Sequence, residues 1–176
     1  SDRVRGFIQS AQTYALGQDH QQFIPEHLLK VLVDDTEGLA ASLIERAGGK
    51  TKDVRLGVEA ALNAQPKVQG GNGQLYMAQP LAKVLNTAEE VAKKAGDSYV
   101  TVERLLLAMA MEKSAKTSEI LSKAGVNERQ VVSVRLIHGK EAVCPSKDVF
   151  SSCKAFLGEE GRKHRAVGRL TGLETL

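Results

Sequence analysis

Tryptophan is absent from this 176-residue sequence, and aromatic side chains of all kinds make up only 4% of it. A core without large rings has to be filled by Ala, Leu, Val and Ile, the usual packing of a helical domain. Cysteine is nearly absent as well. Cys144 and Cys153 are too few for a disulfide framework or a zinc site, so a reducing, cytoplasmic setting is expected. No run of about 18 apolar residues occurs, which excludes a membrane-spanning helix. The first residues, Ser1-Asp2-Arg3-Val4-Arg5, lead into an amphipathic pattern and not into the apolar stretch of a secretory leader, so no leader is expected. A surplus of charge is also missing from most of the chain. Residues 1–126 hold 15 basic and 15 acidic side chains, and the net charge of +3 comes entirely from 127–176, with 9 against 6. A neutral body argues against a nucleic-acid surface, which needs a basic face to neutralise phosphates.

What the sequence does contain is a repeat. Phe23-Ile24-Pro25-Glu26-His27-Leu28-Leu29 returns 77 positions later as Val100-Thr101-Val102-Glu103-Arg104-Leu105-Leu106. The match runs without a gap from 7–54 onto 84–131, with 8 identities in 48 positions. The count is low, but the identities fall on helix starts, helix stops and core positions: Ala11 with Ala88, Glu26 with Glu103, Leu28 with Leu105, Ala47-Gly48 with Ala124-Gly125. Two tandem copies of one helical unit follow from this.

The periodicity predicts where the helices lie. Val4, Phe7, Ile8, Ala11, Tyr14 and Ala15 share one face of a first helix, stopped at Gly17. Pro25 suits the first turn of the second, where its missing N–H is no loss. Thr101 takes the N-cap position of the equivalent helix in the second copy. Thr36 and Thr51 are the expected N-caps of the third and fourth helices, with Gly48-Gly49 as a left-handed stop between them. The fourth helix is expected to bury Val54, Leu56, Val58, Ala61 and Leu62. Three glycines in 70–73 mark residues 67–78 as an irregular connection, with Leu75-Tyr76-Met77 folding back on the core. In the second copy Leu81, Val84, Leu85, Ala88, Val91, Ala92 and Ala95 form a long helix ended by Gly96-Asp97. Asn127 and Gln130 have the spacing of a capping box for an eighth helix. The periodic pattern fades after about Ser133. The divisions expected are a first helical repeat at 1–66, the connection at 67–78, a second repeat at 79–138 and an atypical, disordered tail at 139–176.

Catalytic patterns are missing. Ala47-Gly48-Gly49-Lys50-Thr51 carries the last letters of a phosphate-binding loop, but position 44 is Ile where the pattern needs Gly, so a helix stop is the better reading. His20, His27, His138 and His164 are scattered and read as solvated or capping residues. Ser10, Ser42 and Ser98 lack the glycines of a nucleophile elbow. The basic cluster Arg162-Lys163-His164-Arg165, with Arg169, reads as a solvated charge run. Asp97 and Glu103 flank the start of one helix. They are either stabilised there by its macrodipole, worth about 0.3–1 kcal/mol, or they edge a groove presented to a partner.

Several of these stretches together carry a family resemblance. Ala15-Leu16-Gly17-Gln18-Asp19-His20, Phe23-Ile24-Pro25-Glu26-His27-Leu28-Leu29, Gly38-Leu39-Ala40, Gly70-Gly71 followed by Gln79-Pro80-Leu81, and Lys94-Ala95-Gly96-Asp97-Ser98-Tyr99-Val100-Thr101 are similar to the amino-terminal (Clp R) domain of Hsp100 protein disaggregases, in the ClpB form found in alphaproteobacteria. The resemblance covers about residues 2–131. It implies an all-α fold of two tandem pseudo-symmetric four-helix repeats, no catalysis, and no cofactor in this chain, ATP belonging to ATPase modules of the parent family. It implies that unfolded or aggregated protein is engaged at a shallow apolar groove between the repeats. Carried over by position, Asp97 and Glu103 form the acidic edge of that groove, Leu85 an apolar floor, and Ser1 lies on the same surface. The parent family assembles as a hexameric ring, and this chain alone is expected to be a monomer. The tail departs from the family's Lys/Arg- and Ala-rich linker, as a frameshifted or vector-derived end would.

The expected function is therefore weak, non-catalytic binding of unfolded polypeptide. The rivals are docking of a folded adaptor protein, as related Clp ATPases use the equivalent domain, and nucleic-acid binding through the basic tail.

Overall fold

The computed structural model describes residues 1–68 and 74–136, with side chains to 132. The expected tail at 139–176, with its two cysteines and its basic cluster, lies outside the described residues.

The second half of the molecule is laid down in the register of the first. Helices α1 (Asp2–Gly17), α2 (Pro25–Asp34) and α3 (Leu39–Arg46) map, residue for residue at the 77-position offset, onto α5 (Gln79–Lys94), α6 (Val102–Met111) and α7 (Lys116–Lys123). Helix α4 (Thr51–Asn63) begins 77 residues before α8 (Glu128–Leu136). The stops repeat as well: Gly48 and Gly125 both take left-handed φ, +84° and +88°. The phosphate-loop reading of Gly48-Gly49-Lys50-Thr51 is thereby replaced by a helix stop, as expected.

The helix starts use different chemistry in the two copies. Pro25 occupies the first turn of α2, and the ring of His27 reaches back so that its Nδ1 accepts from the Ile24 N–H at 3.1 Å. In α6 the relation is reversed: the Thr101 hydroxyl accepts from the Arg104 N–H at 3.4 Å. Each repeat keeps one half of a capping box. In α8 both halves are present, Asn127 and Gln130 exchanging bonds of 2.8 and 3.1 Å.

Packing between the repeats exchanges equivalent helices. α3 lies against α6 and α8, while its counterpart α7 lies against α2 and α4. Equivalent surfaces trading places is the signature of a two-fold relation, and one apolar core runs through both halves, with Leu28, Leu29, Ile44, Leu81, Leu105, Leu106 and Leu121 fully buried. Near the axis the two repeats come close. The Lys50 N–H donates to the Ala124 carbonyl at 3.1 Å. A Cβ on Gly49 would collide with Cγ2 of Val126 and lie 3.1 Å from the Ala124 carbonyl oxygen. Gly49 and Val126 are equivalent positions, so where both copies meet the axis only one of them has room for a side chain.

Several expectations are corrected. Thr36 does not cap α3. A turn in which the Gly38 N–H donates to the Asp35 carbonyl delays the helix, and Gly38, at φ +64°, is its N-cap. Thr51 does not cap α4 but is its first residue, and its hydroxyl faces back to α3, 3.3 Å from the Ala41 carbonyl. Leu56 is 57% exposed, because the buried face of α4 is set by Val54, Val58 and Leu62, and a residue two places from Val54 points the other way. The connection is not wholly irregular: β2 (Tyr76–Met77) pairs in parallel with β1 (Gln22–Phe23) within the otherwise helical fold. That pairing leaves Tyr76 and Met77 exposed, while Leu75 packs on the core. Helix α8 continues to Leu136, past the expected fade at Ser133.

Gly49→Ala is expected to lower stability by about 1–3 kcal/mol, the range for overpacking. Combined with Val126→Ala it should show favourable coupling, since the second change removes the methyl with which the first collides. Denaturant melts of the four proteins measure this, and a Gly49→Ala chain as stable as its parent would contradict the packing described.

Candidate functional site

The loop between α5 and α6 brings most of the sequence-predicted site together. Gly96, at φ +70°, reverses the chain, and the Asp97 N–H closes the end of α5 on the Ala92 carbonyl at 2.9 Å. Four residues on, Thr101 opens α6. The start of α1 is held to this loop: the Ser1 nitrogen donates to the Val100 carbonyl at 3.0 Å, and the Ser1 hydroxyl accepts from the Val4 N–H at 3.4 Å. Ser1, Asp97 and Glu103 thus share one edge. Leu85 lies apart from that loop, half-buried along α5 on the border of the core, at the position equivalent to Ile8 of α1.

The two carboxylates do different work. Asp97 accepts from Nε of Arg104 at 2.7 Å, and Arg104 is only 9% exposed. This is a pairing of side chains across the loop, not the macrodipole arrangement considered from sequence. Glu103 sits in the first turn of α6, half-buried, and makes no hydrogen bond or ion pair among the described residues. Its equivalent in the first repeat, Glu26, is 3% exposed. Glu26 lies near Lys116, the first residue of α7, whose charge and backbone N–H offset part of the cost of burying the carboxyl, and the N-cap of that helix, Ala115, offers no side-chain acceptor. Burial pushes the Glu26 carboxyl above the usual carboxylate range. One copy of this glutamate is buried next to the start of a helix of the other repeat; the second copy is half-buried, on the helix that follows the loop of Tyr99, a residue 71% exposed.

Arg104 was not singled out by sequence reasoning, nor was the pair it belongs to. At the 77-residue offset, Asp97 and Arg104 correspond to His20 and His27. These two histidines were read as scattered and solvated or capping. His27 does cap, but both are buried and they bond to each other, His20 Nδ1 lying 2.8 Å from His27 Nε2. The Ile24 N–H already donates to Nδ1 of His27, so the proton of that ring is on Nε2 and points at His20. The remaining His20 proton is then on Nε2, which is buried with no partner among the described residues. Burial holds both rings below the usual histidine value, His27 to about 4, with the neighbouring ring adding to the effect there. The signal that would have found this was the repeat offset applied to the i, i+7 pair, not to identities alone.

No group of three or more potential metal ligands occurs among the described residues, and no described helix is long and apolar enough to cross a membrane.

Comparison with known proteins adds a family to this geometry. Residues 1–124 match the model of the Clp repeat (R) N-terminal domain. A "Chaperone protein ClpB" of Mesorhizobium japonicum is 75% identical over 134 residues, which is 76% of this chain and 15% of that protein. The ClpB of Rhizobium meliloti is 65% identical over the same shares. The chain therefore spans about 15% of the length of these relatives. Among solved structures, the Hsp104 N-terminal domain of Candida albicans superposes with a TM-score of 0.66 at 22% identity, covering 78% of this chain and 89% of that one. The N-terminal domain of the ClpV1 ATPase of E. coli gives 0.66 at 18%, covering 81% and 87%. At these identities the likeness is one of fold.

Two outcomes are expected. A buried neutral histidine takes up its proton later than the unfolded chain does, so the stability it confers is present above pH 6.5 and is lost as pH falls towards 4. For His27 the loss between pH 7 and 5 is about 2 kcal/mol. Glu26 has the opposite sign, its raised carboxyl favouring the fold at low pH and losing that advantage as pH rises. Denaturant melts across this range should therefore show a flatter acid limb in His27→Gln; an unchanged slope would contradict the buried neutral pair. Asp97→Ala leaves the Arg104 guanidinium without that carboxylate and should cost about 1–3 kcal/mol. A thermal melt of the variant checks this.

Proposed function

The chain belongs to the Clp repeat (R) N-terminal domain family, as the amino-terminal module of ClpB-type Hsp100 chaperones does, and from that premise we propose that it engages unfolded or aggregated polypeptide, with no catalysis and no cofactor of its own. The observation that carries this reading is the α5–α6 edge. The loop that holds the start of α1 through Val100 carries the largely exposed Tyr99 and leads into Glu103, which has no partner among the described residues, while Leu85 is half-buried on the helix leading in. An extended segment laid here contacts apolar surface with its side chains and a carboxylate with any basic group it carries. At about 25 cal/mol per Å2, a few hundred Å2 of apolar contact supplies several kcal/mol before association costs. The affinity is then in the range of tens to hundreds of micromolar, as an order of magnitude. Such weakness suits a module repeated around a hexameric ring, where several copies act on one chain and ATP is spent in other modules, in the cytoplasm.

The second reading is docking of a folded adaptor. It is favoured by Tyr76 and Met77, exposed on the strand paired with β1, and by Val68, exposed next to Asp19. It requires one tight partner and indifference to unfolded chains. Nucleic-acid binding through residues 162–169 requires a steep salt dependence that is lost on removing 139–176.

Glu103→Gln and Leu85→Ala are each expected to weaken binding of a fluorescently labelled, permanently unfolded polypeptide by two- to tenfold, with the melting temperature of Glu103→Gln close to that of the parent. Anisotropy titration reads both, and parental affinity in both variants would refute the edge as the binding surface.

A further inference from the structure

The acidic edge carries one feature that the first repeat lacks: a buried, permanently charged partner for one of its two carboxylates. Positions 20 and 27 hold a neutral histidine pair, whereas the equivalent positions 97 and 104 hold an ion pair. The Arg104 side chain is 11% exposed and that of Asp97 23%, with Nε to Oδ2 at 2.7 Å. A guanidinium stays charged at every accessible pH, so it does not release the carboxylate by titration. It is also anchored, because Arg104 stands on the buried face of α6 with Leu105, Leu106 and Ala108 following it, and its own N–H is taken by the Thr101 hydroxyl. A cationic side chain approaching from solvent meets an Asp97 already compensated from below, and a Glu103 that is not.

Resting on the reading above, we propose that Arg104 is a specificity-determining residue: it holds Asp97 inward, so that Glu103 is the carboxylate a bound segment meets, and the segments selected carry one basic side chain among apolar ones, with no gain from further basic residues. The first basic side chain forms an ion pair at a half-exposed site, worth a few-fold in affinity. A second finds Asp97 already paired with Arg104, and Asp2 at the start of α1 already paired with Arg5. Tyr99 and Leu85 supply the apolar part of the contact and take no part in counting charge.

The test uses the full chain and three unstructured probe peptides of equal length and apolar content, bearing no, one or four lysines. For the parent chain the one-lysine probe should bind two- to tenfold more tightly than the neutral one. The four-lysine probe should bind within twofold of the one-lysine probe. Arg104→Met should raise affinity for the four-lysine probe about threefold or more while leaving the neutral probe unchanged, and the gain should vanish in Arg104→Met/Asp97→Asn. If Arg104→Met does not fold, the parent series alone decides, because affinity that climbs with each added lysine overturns the proposal. A gain that persists in the double variant overturns it too, since the new charge would not be that of Asp97. A parent chain that binds none of the three probes refutes the function proposed above and this inference with it. Binding of all three without discrimination refutes only this inference.

Discussion

The structure depends on the close approach of its two halves at Gly49 and Val126. Two copies of one helical unit related by a two-fold must meet at the axis in equivalent residues, and identical side chains there would compete for one space. Leaving one position as glycine and filling the other with valine resolves this, and lets the Lys50 amide reach the Ala124 carbonyl across the boundary. That contact makes each repeat's third helix a part of the other repeat's core. Neither half closes its apolar surface alone, which is why the core is continuous from Val4 to Val131.

Duplication followed by divergence also explains the site. The same two places in the unit, five residues ahead of the second helix and in its first turn, carry His20 and Glu26 in one copy and Asp97 and Glu103 in the other. In the first copy both are drawn inward, the histidine onto His27 and the glutamate onto the N-terminus of α7. In the second copy the helix N-cap is supplied locally by Thr101, and Glu103 stays at the surface. The chain thus has one structural and one outward-facing version of a single motif.

Much of the fold was legible in the sequence because it is carried by local signals: apolar spacing, Pro25, Thr101, the stops at Gly48 and Gly125, and the offset itself. The failures share a cause. Thr36 and Thr51 have the right chemistry for caps, but a turn ending at Gly38 and a hydroxyl aimed back at α3 decided otherwise, and both depend on neighbouring elements. The β1–β2 pair joins residues more than fifty positions apart, which no local pattern records. At the site, Asp97 and Glu103 were marked by their place at a helix start and, with Leu85 and Ser1, by the family resemblance, whereas Arg104, Glu26 and the histidine pair are visible only when the two copies are overlaid and the differences are read instead of the identities.

The central claim is that extended polypeptide is met at the α5–α6 edge. The most direct measurement is a chemical-shift titration of the isotope-labelled chain with an unfolded model polypeptide at moderate salt. The account predicts perturbations concentrated on Leu85 and on residues 97–104, with the amides of α3, α4 and α7 unmoved. Perturbations confined to residues 139–176, or an unperturbed body at saturating polypeptide, would contradict it.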